Sequence, residues 1–216
     1  MPLERKPLGA CPTFVLLRFN SDTLTASILR EKTMERSASA ISTQSWLRCI
    51  LTVGLLVGIA DYAIGFGLFV VTLGAPVLRV LQHPASGLLG TDAYRGGITT
   101  AALGTVLHFA IAVVWAALFA GVYRTSPKLR AATSRSLHAL GVATVAGVGV
   151  WLVMNNIVLT FSRGRPYSID SWLFWTILLL HIPFVGMPLV WGTRRLAPLA
   201  VTEGQVAQAV EHRGTA

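Results

Sequence analysis

Four stretches of the chain, residues 47–73, 98–123, 137–161 and 172–191, are almost wholly apolar. Each meets the roughly 20 residues that an α-helix needs to cross a hydrocarbon layer about 30 Å thick. The second and third contain no Asp, Glu, Lys or Arg. A backbone in lipid must satisfy its own hydrogen bonds, and a single apolar run of this length does so as a helix. Trp46, Tyr123, Trp172 and Trp191 stand near the ends of the runs, where interfacial aromatics belong. Composition points the same way, because only 12% of the residues are charged against about 25% in soluble domains. The predicted fold is all-α: an integral membrane four-helix bundle occupying residues 46–195.

The flanks differ in character. Residues 1–45 form a leader that mixes charges with Ser and Thr, and its one apolar patch, at Phe14, is too short to span. Met34 opens a stretch that reads as an alternative start, which would make residues 1–33 an over-extended reading frame or a disordered leader. Residues 196–216 form a polar tail, expected as a short helix or as disordered chain. Between the first two spans, residues 76–90 are too apolar for a solvated loop and too short to cross. Pro76 suits a helix start and Pro84 would interrupt anything longer. The segment is read as an interfacial or re-entrant outer helix, with a plain amphipathic connector as the alternative.

Lys and Arg set the orientation. The leader, the second connection and the tail together carry 14, and the other two connections carry 4. By the positive-inside rule both termini are cytoplasmic, with a bacterial inner membrane as the expected location. The net charge of +9 therefore belongs to topology and to anionic lipid, so the bilayer is the expected partner and nucleic acid is not. Cys11 and Cys49 are the only cysteines; one lies in the leader and one at a span edge, which excludes a disulfide framework or a zinc knuckle.

A set of residues carries a resemblance: Leu81-Gln82 with Ala85-Ser-Gly-Leu-Leu-Gly90, Gly96-Gly97, Leu107-His108-Phe109, Met154-Asn155, and His181 with Val185-Gly-Met-Pro188. Over about residues 47–195 the chain resembles a family of uncharacterised four-helix bacterial inner-membrane proteins. The resemblance implies a fold and a location, and brings no activity, substrate or catalytic residue.

Function is to be sought among the polar groups inside the spans. A carboxylate or imidazole at bilayer depth is costly and marks a functional hypothesis. Counting about 1.5 Å per residue from the outer ends places Asp61, His108, Asn155 and His181 about 9–18 Å deep, one on each span. Gly54, Gly58, Asp61 and Gly65 share a small-residue face, as do Ala101, Gly104, His108 and Ala112. On the third span Gly141, Thr144, Val148, Trp151 and Asn155 line up, and small-residue faces let helices approach closely. Pro183 and Pro188 should free the carbonyls of Leu179 and Phe184 beside His181. The candidate network is thus Asp61, His108, Asn155, Asn156 and His181.

Such a network can be interhelical glue, or it can line an outward-facing cavity that handles a proton, an ion or a small solute. A divalent metal could use Asp61, His108 and His181, and a b-type haem could take His108 and His181 as axial ligands. Neither cofactor is the expectation. His83 and His138 are read as solvated. No nucleophile elbow, phosphate-binding loop or HExxH sequence is present, and an enzyme is not expected. The remaining alternatives are a homo-oligomer packed on its glycine faces and an accessory subunit of a membrane complex.

Overall fold

The computed structural model describes residues 21–198, so residues 1–20 of the leader, with Cys11, and the tail from residue 199 lie outside it. The chain divides into two units, one ending at Ile41 and one beginning at Ser42. Within the first, residues 21–41 are helical. The second holds four helices long and apolar enough to cross a membrane: α1 (Thr43–Thr72), α4 (Gly97–Thr125), α6 (Ser136–Phe161) and α7 (Trp172–Leu196). Their ends fall up to five residues outside the apolar runs, because nothing in the flanking sequence breaks the helix there. Where a signal exists it is used: α4 stops at Ser126, whose hydroxyl accepts from the Leu129 N–H and caps α5 (Pro127–Ser134).

The outer connection is helical. It runs through α2 (Val77–Gln82), a 3₁₀ turn (His83–Ala85), α3 (Ser86–Leu89) and a second 3₁₀ stretch (Gly90–Arg95). Pro84 tightens the backbone into a 3₁₀ turn without ending the segment. This segment lies on α4. Gly104 permits the contact, since a Cβ there would fall 2.1 Å from the Leu81 carbonyl oxygen. The buried Gln82 ties the segment down by donating to the Gly97 carbonyl at 2.9 Å and to Thr100 Oγ1 at 3.1 Å. Gly97 takes the left-handed φ of 60° that the turn into α4 requires.

Glycine also sets the approach of the long helices. A Cβ on Gly54 would lie 2.7 Å from Val113 Cα, and one on Gly58 would lie 2.6 Å from the Phe109 ring, so α1 and α4 meet backbone to side chain. On α6, Gly147 faces the His181 carbonyl oxygen at 2.5 Å from where a Cβ would stand, and Gly186 of α7 faces the Ala143 carbonyl at 2.0 Å. The close-packed face of α6 is therefore Ala139, Ala143, Gly147 and Val150, all buried. The predicted face through Gly141 is displaced: Gly141 has open space around it, and only Trp151 and Asn155 of that set are buried. Cys49, Val53, Val57, Ala116, Val185 and Leu189 form the largest buried cluster. Tyr123, expected at a boundary, belongs to that cluster at 4% exposure.

Three of the four long helices contain π-helical turns, at Phe66–Thr72, Met154–Val158 and Ile182–Gly186. The last includes Pro183 and precedes Pro188, two residues without the N–H that α geometry would use. The Leu179 carbonyl, expected to be free, accepts from the Ile182 N–H.

Candidate functional site

Asp61 on α1, His108 on α4 and His181 on α7 converge. His108 Nδ1 stands 3.9 Å from Asp61 Oδ2, and His181 Nε2 stands 3.7 Å from Asp61 Oδ1. The convergence follows from packing: Gly58, one turn before Asp61, admits α4 closely, while Gly147 admits the α7 backbone at His181 itself.

The other nitrogen of each ring fixes its tautomer. His108 Nε2 lies 2.9 Å from the Gly58 carbonyl oxygen, and His181 Nδ1 lies 2.8 Å from the Ile177 carbonyl oxygen. A carbonyl can only accept, so both of these nitrogens carry the proton. In a neutral imidazole the remaining nitrogen is then a bare lone pair. The two nitrogens aimed at Asp61 are therefore acceptors, and so is the carboxylate between them. Three acceptors face one another with no donor of their own, and one or more protons or an N–H donor must fill the gap.

Aromatic rings hold the histidines in place. Tyr62 stacks on His108 with centroids 3.9 Å apart, and Trp151 lies against His181 at 5.0 Å. The Trp151 indole N–H is buried without a protein acceptor. Tyr62 in turn donates to Thr105 Oγ1 at 3.4 Å.

The cluster opens onto a cavity of about 580 Å³. The Asp61 side chain keeps 31% exposure, and this cavity is the space it faces. The walls are mostly aliphatic and aromatic, including Phe69, Trp115, Trp151 and Tyr167, and the outer segment contributes Arg79, His83 and Tyr94. Arg79 lies over the Tyr94 ring at 4.9 Å, and Tyr94 bonds His83 Nδ1 through its hydroxyl at 2.9 Å. His83, expected to be solvated, is thus partly buried in the cavity wall, and burial lowers its pKa from the usual histidine range. Burial, with the charge of Tyr94 as a second cause, pushes the Tyr167 phenol up to about 12. His138 is exposed, as read.

Asn155 and Asn156 stand apart from this group. Asn155 is fully buried, but its Oδ1 accepts from the Tyr167 N–H at 2.8 Å and its Nδ2 donates to the Tyr167 carbonyl at 3.1 Å. It pins the loop between α6 and α7, and through it one wall of the cavity. Asn156 is exposed and bonds back to the Leu152 carbonyl. Nor do the histidines and Asp61 make a metal centre: among the described residues no group of three or more His, Cys, Asp or Glu is arranged to hold an ion. Each imidazole addresses its own carboxylate oxygen instead of a common point. The glycine faces expected to serve oligomerisation are consumed within the chain at Gly54, Gly58 and Gly147.

The sequence had singled out the three titratable residues but not Tyr62, Trp151, Tyr167, His83 or Tyr94. Adjacency to Asp61 could have flagged Tyr62; the others reach the cavity only through tertiary packing. No family model, curated protein or solved structure matches the chain, so the family resemblance rests on the quoted motifs alone.

Proposed function

We propose that this is a multi-pass protein of a bacterial inner membrane, a four-helix bundle with both termini cytoplasmic, that binds a small solute in the outer half of the bilayer and couples its binding to a proton. Large apolar side chains turned outward along the long helices, such as Leu55, Ile59, Val106, Val114 and Leu179, support the lipid environment. The excess of Lys and Arg on one side supports the orientation. One observation carries the proton: the bare nitrogens of His108 and His181 both aim at Asp61. A single proton entering that gap turns mutual repulsion into an imidazolium–carboxylate contact, which a partly buried site makes stronger than water would. A cavity of about 580 Å³ beside it is of ligand size. The position of a carboxylate oxygen within 4 Å of each bare nitrogen favours proton chemistry over axial ligation of a haem iron, which would need both nitrogens unobstructed.

Nitrogen-15 histidine NMR of the protein in nanodiscs tests this. His108 should appear as the Nε2–H tautomer and His181 as the Nδ1–H tautomer at alkaline pH, with at least one becoming imidazolium as the pH falls. Opposite tautomers, or two imidazoles that both stay neutral to pH 4, would refute it.

A further inference from the structure

We propose that the solute is an amphipathic organic amine, a protonated nitrogen carried on a one- or two-ring apolar body, and that it competes with the proton for the same three acceptors. This rests on the proton-linked reading above and names its ligand. The complement of Asp61 Oδ1 and Oδ2, His108 Nδ1 and His181 Nε2 is a group with several N–H donors and a positive charge. An ammonium has both. The rest of the cavity wall is apolar and rich in rings, with Tyr62 and Trp151 packed directly on the two histidines. Aromatic faces around a carboxylate suit a cation whose body is hydrophobic.

Selectivity follows from what else lines the space. Across the cavity wall the charged or titratable groups that meet the cluster are His108 from α4, His181 from α7 and Tyr62 from α1; α6 offers the neutral Trp151. Arg79 and His83 belong to the outer segment, and Arg79 is itself exposed. The single carboxylate therefore has no fixed cationic partner within ion-pair distance: its two neighbours are histidines, charged only when protonated. A proton neutralises the site and an ammonium replaces the proton. Binding of a permanently protonated amine should then strengthen with pH by up to about tenfold per unit while the cluster titrates. A neutral molecule of the same shape supplies one donor and no charge.

The test uses the full chain in nanodiscs, with 3,3-diphenylpropylamine as probe and 3,3-diphenylpropan-1-ol as its uncharged counterpart. The intrinsic fluorescence of Trp115 and Trp151, both on the cavity wall, reports binding, with empty nanodiscs correcting for partition into lipid. Saturable amine binding is expected, at least about tenfold tighter than the alcohol, weakening as the pH falls from 7 to 5, and lost in Asp61→Asn. Equal affinities for amine and alcohol would overturn the proposal, as would amine binding that ignores pH. If Asp61→Asn does not fold, those two wild-type comparisons remain decisive. Histidine NMR without any amine reads the protonation separately, so a normal titration with no amine binding would sink this ligand while leaving the proton.

Discussion

Gly147→Ala is the sharpest perturbation the packing offers. Its Cβ would stand 2.5 Å from the His181 carbonyl oxygen and 2.9 Å from Ile182 Cα. Ordinary contact begins near 3.4 Å, so α7 must retreat by about 0.9 Å. Both obstructing atoms are backbone and cannot rotate aside. Overpacking of this kind costs about 1–3 kcal/mol, and the rigidity of the obstacle argues for the upper end. Gly149→Ala is the control, since nothing lies within 4 Å of that position, and losing a helix-interior glycine there should gain up to about 1 kcal/mol. The two alanines, two residues apart on one helix, should thus differ by about 3–4 kcal/mol, two to three decades in the folded ratio. Unfolding in mixed micelles of rising SDS fraction, followed by tryptophan fluorescence, measures the difference. A Gly147→Ala protein as stable as Gly149→Ala would mean that α6 and α7 do not approach through this glycine, and the placement of His181 would fall with it.

Three further outcomes are expected. Asn155→Leu strips the partners from the Tyr167 N–H and carbonyl and should cost about 2–4 kcal/mol. Limited proteolysis should then cut the loop between α6 and α7 sooner, and unchanged protection would refute the pin. His83 is held below the ordinary histidine value of 6.5 by burial, so the unfolded chain binds its proton first. Its contribution to stability is complete above about pH 6.5 and is lost as the pH falls further; His83→Gln should flatten that acid limb of the thermal-stability profile. Asp61→Asn and His108→Ala should each impair folding or amine binding more than Arg163→Ala, whose side chain is exposed; equal behaviour of all three would dissolve the cluster.

The long helices were legible because an uninterrupted apolar run has few structural options. Asp61, His108 and His181 were legible as candidates because such groups are rare inside those runs. Their chemistry was not. The tautomers depend on the carbonyls of Gly58 and Ile177, and no pattern in the sequence says which carbonyl an imidazole will find. Asn155 looked like a fourth member on depth alone, yet depth does not fix azimuth, and its partner is the loop residue Tyr167. The face of α6 was misread for a related reason. Threonine, valine and tryptophan at helical spacing resemble a buried stripe, while the true contact is made by Ala139, Ala143 and Gly147, whose small size matters more than their hydrophobicity. His83 was taken for a surface residue because a loop was assumed where the chain folds back over the cavity.

The π turn at Ile182–Gly186 has the form of one residue more than an α-helix would need, absorbed without breaking the rod. Removing a single residue there would restore α geometry and turn everything beyond it by about 100°. Leu189, Val190 and Thr193, all buried, would then swing toward lipid, while His181 stayed facing Asp61. The helix thus has a joint between the half that recognises a ligand and the half that anchors the core. Lineages carrying this chain should tolerate substitutions on either side of that joint more readily than any change in its length.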